Sequence, residues 1–269
     1  MTAPPTAAAL RPLARWLNLL RHFVVRDIQQ RYLGSLWGGL WALLQPLLLF
    51  GIYAVVFVQI LKVRLPATAG GDFVPFLVAS LWPWTAFAEA LNRSSNAIPE
   101  HASLLAKVAM PRAVLVVAPV TASFALHGIG FAAVIAAAAL LGREWHLAGI
   151  PAAVALFVLL YGFALGLSCA LAALQVFVRD LQHVLAQVIT LWFFLTPVFF
   201  TREMVPPALG RVLDLNPVTV YIEGIRGALV MGQQPGIATF GIALATTALA
   251  ALVGAFVFRR LSRHFEDFL

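Results

Sequence analysis

LAGIPAAVALFVLLYGFALGLSCALAALQVFV, residues Leu147–Val178, decides the fold class. The stretch holds no Asp, Glu, Lys or Arg. A helix needs about 20 apolar residues to cross the hydrocarbon core of a bilayer, and this run is longer than that. A barrel strand would alternate polar and apolar residues; this run is continuously apolar, so it reads as a membrane-crossing helix. Five further runs share its character: Trp37–Leu61, Phe73–Leu91, Ala113–Leu141, Val184–Phe200 and Ile237–Phe258. Within all six, Glu89 is the sole acid or base other than His, and it lies near one end of its run. A charge at mid-membrane is costly and marks an ion or proton route. Its scarcity argues that the energy for any transport comes from elsewhere.

The expected fold is therefore an all-α integral membrane protein with six transmembrane helices. Residues 1–36 form an N-terminal region, 37–258 the six-span domain and 259–269 a tail. Of the 269 residues 62% are hydrophobic, and the mean hydropathy is +0.92, which excludes an ordinary soluble domain. Cys169 is the only cysteine, so no intrachain disulfide or Cys-based metal site is expected. The six His are scattered without a ligand-like pair. The first nine residues carry no Lys or Arg and no apolar core, so a cleavable signal peptide is not expected. The net charge of +7 suggests nucleic acid at first sight, but its placement points elsewhere. With six spans both termini share one side, and that side carries twelve of the eighteen basic residues, from Arg11 to Arg31, at Arg93, Lys107, Arg112 and Arg179, and at Arg259, Arg260 and Arg263. The positive-inside rule puts both termini in the cytoplasm, and topology with anionic lipid accounts for the basic excess.

Residues before about Arg11 are Ala/Pro/Thr-rich and read as disordered. Leu13–Gln30 then shows apolar residues at helical spacing, from Leu13 to Ile28, with Arg15, His22 and Arg26 on another face. This is an amphipathic interface helix lying on the membrane surface, or a cytoplasmic packing helix. Trp37 and Trp41 suit a membrane boundary, Gly34, Gly38 and Gly39 a flexible corner, and Pro46 a kink in the first span. The loop Asn92–Arg112 contains a short helix at Ser103–Val108, either a docking knob for a partner or a plain connection. Gly162 and Gly166 form a small-xxx-small pattern, read as packing within one subunit rather than a dimer seam. His127 lies mid-span with no carboxylate in its own helix, which favours a packing role over a proton relay. Between the last two spans, Pro206 and Pro207 open a short helix through Leu215, Asn216-Pro217 break it, and Val218–Met231 form a second. These two short external helices are expected to re-enter the outer leaflet.

A phosphate-binding loop needs Gly-Lys-Ser/Thr; the only lysines, Lys62 and Lys107, do not follow Gly. There is no His-Glu-x-x-His and no Gly-x-Ser-x-Gly. The chain is not expected to be an enzyme, and a transporter energised by a separate subunit fits these absences best.

Three stretches carry a resemblance. Arg26-Asp27-Ile28-Gln29-Gln30-Arg31-Tyr32-Leu33-Gly34-Ser35-Leu36-Trp37-Gly38-Gly39-Leu40-Trp41, continuing to Gln45-Pro46, resembles the lead-in to the first span of ABC-2 type permeases that export polysaccharides. Leu104-Leu105-Ala106-Lys107-Val108-Ala109-Met110-Pro111-Arg112 resembles their coupling helix, with Ala109-Met110 departing from a common aromatic. Leu195-Thr196-Pro197-Val198-Phe199-Phe200, with Pro206 and Leu215-Asn216-Pro217, resembles their fifth-span end and external re-entrant segment. The resemblance runs in order from about Arg26 to the C-terminus.

It implies a homodimeric permease of the bacterial inner membrane, paired with two copies of a cytoplasmic ATPase that holds ATP and Mg. The cargo would be a glycan, such as O-antigen or teichoic acid, on an undecaprenyl-pyrophosphate lipid. No nucleic-acid partner is implied. On this chain Leu104, Leu105, Lys107 and Arg112 would couple to the ATPase. Arg26 and Arg31 would meet the lipid pyrophosphate, or simply anchor to anionic lipid. Tyr53, Phe57, Trp82, Trp84, Phe87, Trp192, Phe193, Phe199 and Phe200 would line the passage and stack sugar rings, the alternative being core and lipid-facing packing. Two competing readings stand: an ABC-2 exporter of drugs or lipids, and an ion-coupled secondary carrier, which would need intramembrane carboxylates and internal repeats.

Overall fold

The computed structural model describes residues 5–32, 40–63, 66, 72–108, 110–140 and 145–268. Every regular element among them is helical. The expected corner around Gly34, Trp37, Gly38 and Gly39 lies outside the described residues, as do Arg64 and Arg143.

Helix α1 covers Pro5–Tyr32. It takes in the stretch before Arg11 that composition alone suggests is disordered. Pro5 suits a first helical position, and the following Thr6-Ala7-Ala8-Ala9-Leu10 is rich in the strongest helix former. α2 covers Trp41–Ala54 with Pro46 inside it, and runs into a π-helical turn at Val55–Ile60. α3 covers Phe73–Ser95; Asp72 caps it by accepting from the Val74 N–H at 3.1 Å. It outlasts the apolar run that ends at Leu91 by one polar turn, in which the Ser94 and Ser95 hydroxyls donate to the carbonyls of Leu91 and Asn92.

Two single-turn helices follow, α4 Ala97–Glu100 and α5 Ala102–Leu105, and then α6 Ala113–Leu140. α7 covers Ile150–Gln175, led by a 3-10 turn at Leu147–Gly149. α8 covers Leu181–Phe194. The apolar run there was expected to stay helical to Phe200, but Pro197 has no N–H to give, and the chain turns at Thr196–Val198. α9 Pro207–Leu215 and α10 Pro217–Val230 each start on a proline, as the sequence suggests. α11 covers Ile237–Leu261 and passes into a 3-10 turn at Ser262–Asp267.

Among the described residues four helical stretches are long and apolar enough to cross a membrane: Phe73–Ser95, Ala113–Ala137, Leu147–Gln175 and Ile237–Phe265. Leu44–Ile60 and Leu181–Phe194 are shorter apolar helices. The chain is a multi-pass membrane protein. α3 is the enclosed element, packed by α6, α7 and α10. α11 lies outermost and exposes Ile242, Leu249, Leu252 and Phe256, a surface suited to lipid. Its backbone presses on α7: a Cβ built at Gly254 would lie 1.9 Å from the Gly166 carbonyl oxygen, and one at Gly166 2.4 Å from the Ala250 carbonyl carbon. The Gly162/Gly166 pattern thus packs within the subunit, as expected.

Two apolar clusters hold the helices. The larger runs through α3, α6, α7 and α10 around Trp82, Phe87, Leu156 and Tyr221. The smaller gathers Ile98, Leu115, Val176, Phe258 and Phe265 at the end of the bundle where α1, α4, α5 and the C-terminal turn meet, with Phe23 and Leu105 packed against it. That end is called the α1 end below, and the opposite one the α10 end.

Candidate functional site

The π-helical turn sets Phe57 against the broken end of α8. π turns insert one extra residue into a helix and are frequent at functional sites. Phe57 stacks on Phe199 with ring centroids 4.7 Å apart and planes 13° from parallel. Tyr53 meets Phe199 edge-on at 4.9 Å, and Phe193 meets Phe199 edge-on at 5.0 Å. The contacts continue through Phe193–Trp84 at 5.6 Å and Trp84–Phe87 at 5.6 Å to Phe87–Trp192 at 5.3 Å. A single aromatic belt therefore joins α2, α3, α8 and the turn after α8. Trp84, Phe87 and Phe199 form its buried back, while Tyr53, Phe57, Trp192 and Phe193 keep a partly exposed edge. Phe200 is half-buried at the end of the same turn. Trp82 stands apart: it is fully buried, stacks with Phe50 at 5.1 Å, and donates its indole N–H to the His127 carbonyl at 2.7 Å. Aromatic edges of this kind hold the C–H faces of sugars and lipids without fixing them by hydrogen bonds.

Asn216 ties the belt down, a role that its place before Pro217 did not disclose. Its Oδ1 accepts from the Trp192 indole N–H at 2.8 Å and caps α10 through the Val218 N–H at 3.0 Å. Its Nδ2 donates to the Leu195 carbonyl at 3.0 Å and to Thr196 Oγ1 at 2.9 Å. One amide thus serves the open end of α8, a belt tryptophan and the start of α10.

At the α1 end, α5 seats Leu105 in the smaller apolar cluster and leaves Ser103 and Lys107 exposed. Leu104 is partly buried and lines a cavity of about 440 Å³ together with Arg26, Gln30, Glu100, His101 and Lys107. The structure thus brings Arg26 and Lys107 to one cleft between α1 and α5. Arg112 lies over the Phe265 ring at 5.8 Å and donates to the Ser262 carbonyl, which fastens the α5–α6 connection to the C-terminal turn.

Arg31 points inward, and its side chain is 5% exposed. Its Nε donates to Asp27 at 2.9 Å, Nη1 to Glu89, and Nη2 to Ser123 Oγ at 2.9 Å. Arg93 takes the other oxygen of Asp27 at 2.9 Å. His127 Nε2 lies 2.8 Å from the second oxygen of Glu89. The carboxylate missing from the His127 helix is therefore supplied by α3. An arginine held in this way has no fork left for a lipid phosphate; Arg26, exposed in the cleft, does.

The α10 end holds a second buried arginine, on the second of the two short helices between the last spans. Arg226 is 3% exposed. Nη1 donates to the Pro197 carbonyl at 2.6 Å and to Ser80 Oγ at 3.2 Å, and the guanidinium sits 4.2 Å from the centre of the Phe76 ring. Its opposite charge is Glu223, one turn earlier on α10, which acts on it through space rather than by direct contact. Nearer the surface Arg202 bonds Asp214 and, at 3.0 Å, Glu223. Burial acts to lower its pKa, but the hydrogen bonds and charges of the two acids outweigh this and raise it.

Comparison with known proteins decides what these parts belong to. The sequence model of the family described as ABC-2 type transporter matches residues 18–230. The chain belongs to the ABC-2 type transporter family. Within the family it is similar to an O-antigen export system permease protein RfbA of Myxococcus xanthus, 30% identical over 84% of this chain and 85% of that protein. It is also similar to two proteins of the same name from Klebsiella pneumoniae, 28% and 26% identical, each over 94% of this chain and 95% of the relative. As an ABC-2 permease it is a transport component rather than a catalyst.

Proposed function

We propose that this chain is the membrane-spanning permease subunit of an ABC transporter that exports a lipid-linked polysaccharide of O-antigen type across a bacterial inner membrane, driven by a separate ATPase. The aromatic belt carries the reading: in an ABC-2 permease whose relatives are O-antigen export permeases, a continuous aromatic edge on α2 and α8 suits a sliding sugar chain. The four long helices, with Leu44–Ile60 and α8, make six spans, and the basic α1 end faces the cytoplasm. α9 and α10 then lie at the outer leaflet and re-enter it.

Two copies of the chain enclose the passage between their belts, and two ATPase copies, holding ATP and Mg, dock at α5 through Leu104, Leu105 and Lys107, with Arg112 as the brace behind them. The cargo is an undecaprenyl-pyrophosphate glycan, and Arg26 meets its pyrophosphate at the inner leaflet. A Lys107→Glu, Leu105→Pro double variant is expected to lose ATPase association; retained association would remove α5 from the docking role.

Depletion of the protein in its source cell, followed by assay of lipid-linked glycan, tests the whole reading. Glycan trapped at the cytoplasmic leaflet with loss of surface polymer is the expected result. A normal surface with no trapped glycan would overturn it and favour export of a small amphiphile.

A further inference from the structure

The cluster around Glu89 lies outside both the belt and α5, yet it joins three elements. α1 contributes Asp27 and Arg31, α3 contributes Glu89 and Arg93, and α6 contributes Ser123 and His127. Ionisable groups within apolar helices persist only when paired, and removing one member leaves an uncompensated charge. The geometry therefore admits one register of α1: a rotation by one residue, about 100° of helix, would carry Arg31 off Glu89.

α1 also grips the coupling segment. Phe23 meets the His101 ring edge-on at 6.1 Å, just before α5, and shares an apolar cluster with Leu105. The helix thus meets the lead-in to α5 through Phe23 and His101, and is held to α3 by ion pairs and to α6 by the hydrogen bond from Arg31 to Ser123. A packed or paired contact of this kind is either kept or broken and does not stretch smoothly, so it transmits displacement.

We infer that Glu89 is a positioning residue for transport: through Arg31 it locks α1 to α3 and α6, so that movement of α5 driven by the ATPase reaches the spans instead of being absorbed between α1 and its neighbours. The inference rests on the export function proposed above. It assigns Arg31 to the transmission of movement and leaves cargo contact to Arg26.

The test uses the full permease–ATPase complex in lipid nanodiscs for melting and ATP hydrolysis, and cells for surface glycan. Glu89→Gln and Arg31→Met each leave the cluster one charge out of balance and are expected to lower the melting temperature. The double variant removes one charge of each sign, leaves Asp27 paired with Arg93, and is expected to recover most of the loss. Its ATP hydrolysis should stay within roughly twofold of wild type while export falls by roughly tenfold or more. Wild-type export from the double variant, or from Glu89→Gln alone, would overturn the inference and leave the cluster a stabilising one.

A cargo-free arm keeps this separate from the export reading. With Cys169→Ser as background, spin labels at Asn18→Cys on α1 and Asn92→Cys on α3 report their distance through the ATP cycle. A constant distance is expected with the ion pair intact, and a distance that varies with nucleotide in the double variant. Variation with the pair intact would overturn the lock. If wild-type protein moved no lipid-linked glycan, the export reading would fall and the label distances alone would decide the lock.

Discussion

Arg31 and Arg226 are both buried guanidinium groups, one at each end of the bundle, and they are held in opposite ways. Arg31 sits among carboxylates, with Asp27 and Glu89 on its fork and Arg93 on the other oxygen of Asp27. Arg226 touches a carbonyl, a hydroxyl and an aromatic face, and has Glu223 as an opposite charge at a distance. The first arrangement is strong in the right geometry and severe when one member is lost. The second makes no direct ion pair, and Glu223, one turn earlier on α10, acts on it only through space, so the bonds lost with Arg226 are to neutral groups. Loss of one partner at Arg31 therefore leaves a net charge within the cluster, whereas the contacts of Arg226 can be lost one at a time.

Removing Arg31 should be the most damaging change. Arg31→Met leaves Asp27 and Glu89 facing each other's surroundings without their shared cation. A loss of about 3 kcal/mol is expected, at the low end for a buried pair because the Glu89 side chain is 36% exposed. Thermal unfolding of the purified permease in detergent reads it; a change below about 1 kcal/mol would erase the contrast between the two ends. Asn216→Ala comes next. It deletes the neutral hub that serves Trp192, α8 and α10, and about 2 kcal/mol should be lost, with a shift in Trp192 fluorescence as that indole loses its acceptor.

Arg226→Met should cost only about 1 kcal/mol. The stranded Pro197 carbonyl and Ser80 hydroxyl are unfavourable, but an unpaired buried charge is relieved at the same time. If its melting temperature falls as far as that of Arg31→Met, the distant charge of Glu223 counts for as much as a direct ion pair and the comparison fails. Arg202→Gln, on the exposed side of the α10 end, should change stability by about 0.5 kcal/mol or less, and the small effect should fade as salt rises.

Much of this was legible in the sequence, and the failures have identifiable causes. Pro207 and Pro217 mark the starts of α9 and α10 because proline fits the first helical turn and little else in a helix. The aromatic residues of α2, α3 and α8 were legible as a set because their types and spans are visible; that Trp82 belongs to the core and not to the belt depends on the His127 carbonyl, which no local pattern shows. α8 ends at Phe194 although the apolar run does not, because hydropathy registers composition and not the missing N–H of Pro197. The pairing of Glu89 with His127 is tertiary and left no mark in either helix. Arg226 did leave one: it sits four residues after Ile222 and seven after Thr219, on the buried face of α10, where a basic residue already signals an internal partner.

The arrangement at Asn216 also bears on how the protein ages. Asparagine is lost over time when the backbone nitrogen of the next residue attacks its side-chain carbonyl, closes a succinimide ring and expels ammonia. Deamidation at Asn216 would replace an N–H donor with a carboxylate oxygen facing the Leu195 carbonyl, and repulsion would open the end of α8. The next residue is Pro217, whose ring nitrogen carries no hydrogen and cannot complete that cyclisation. The proline that starts α10 therefore also protects the amide on which the belt depends.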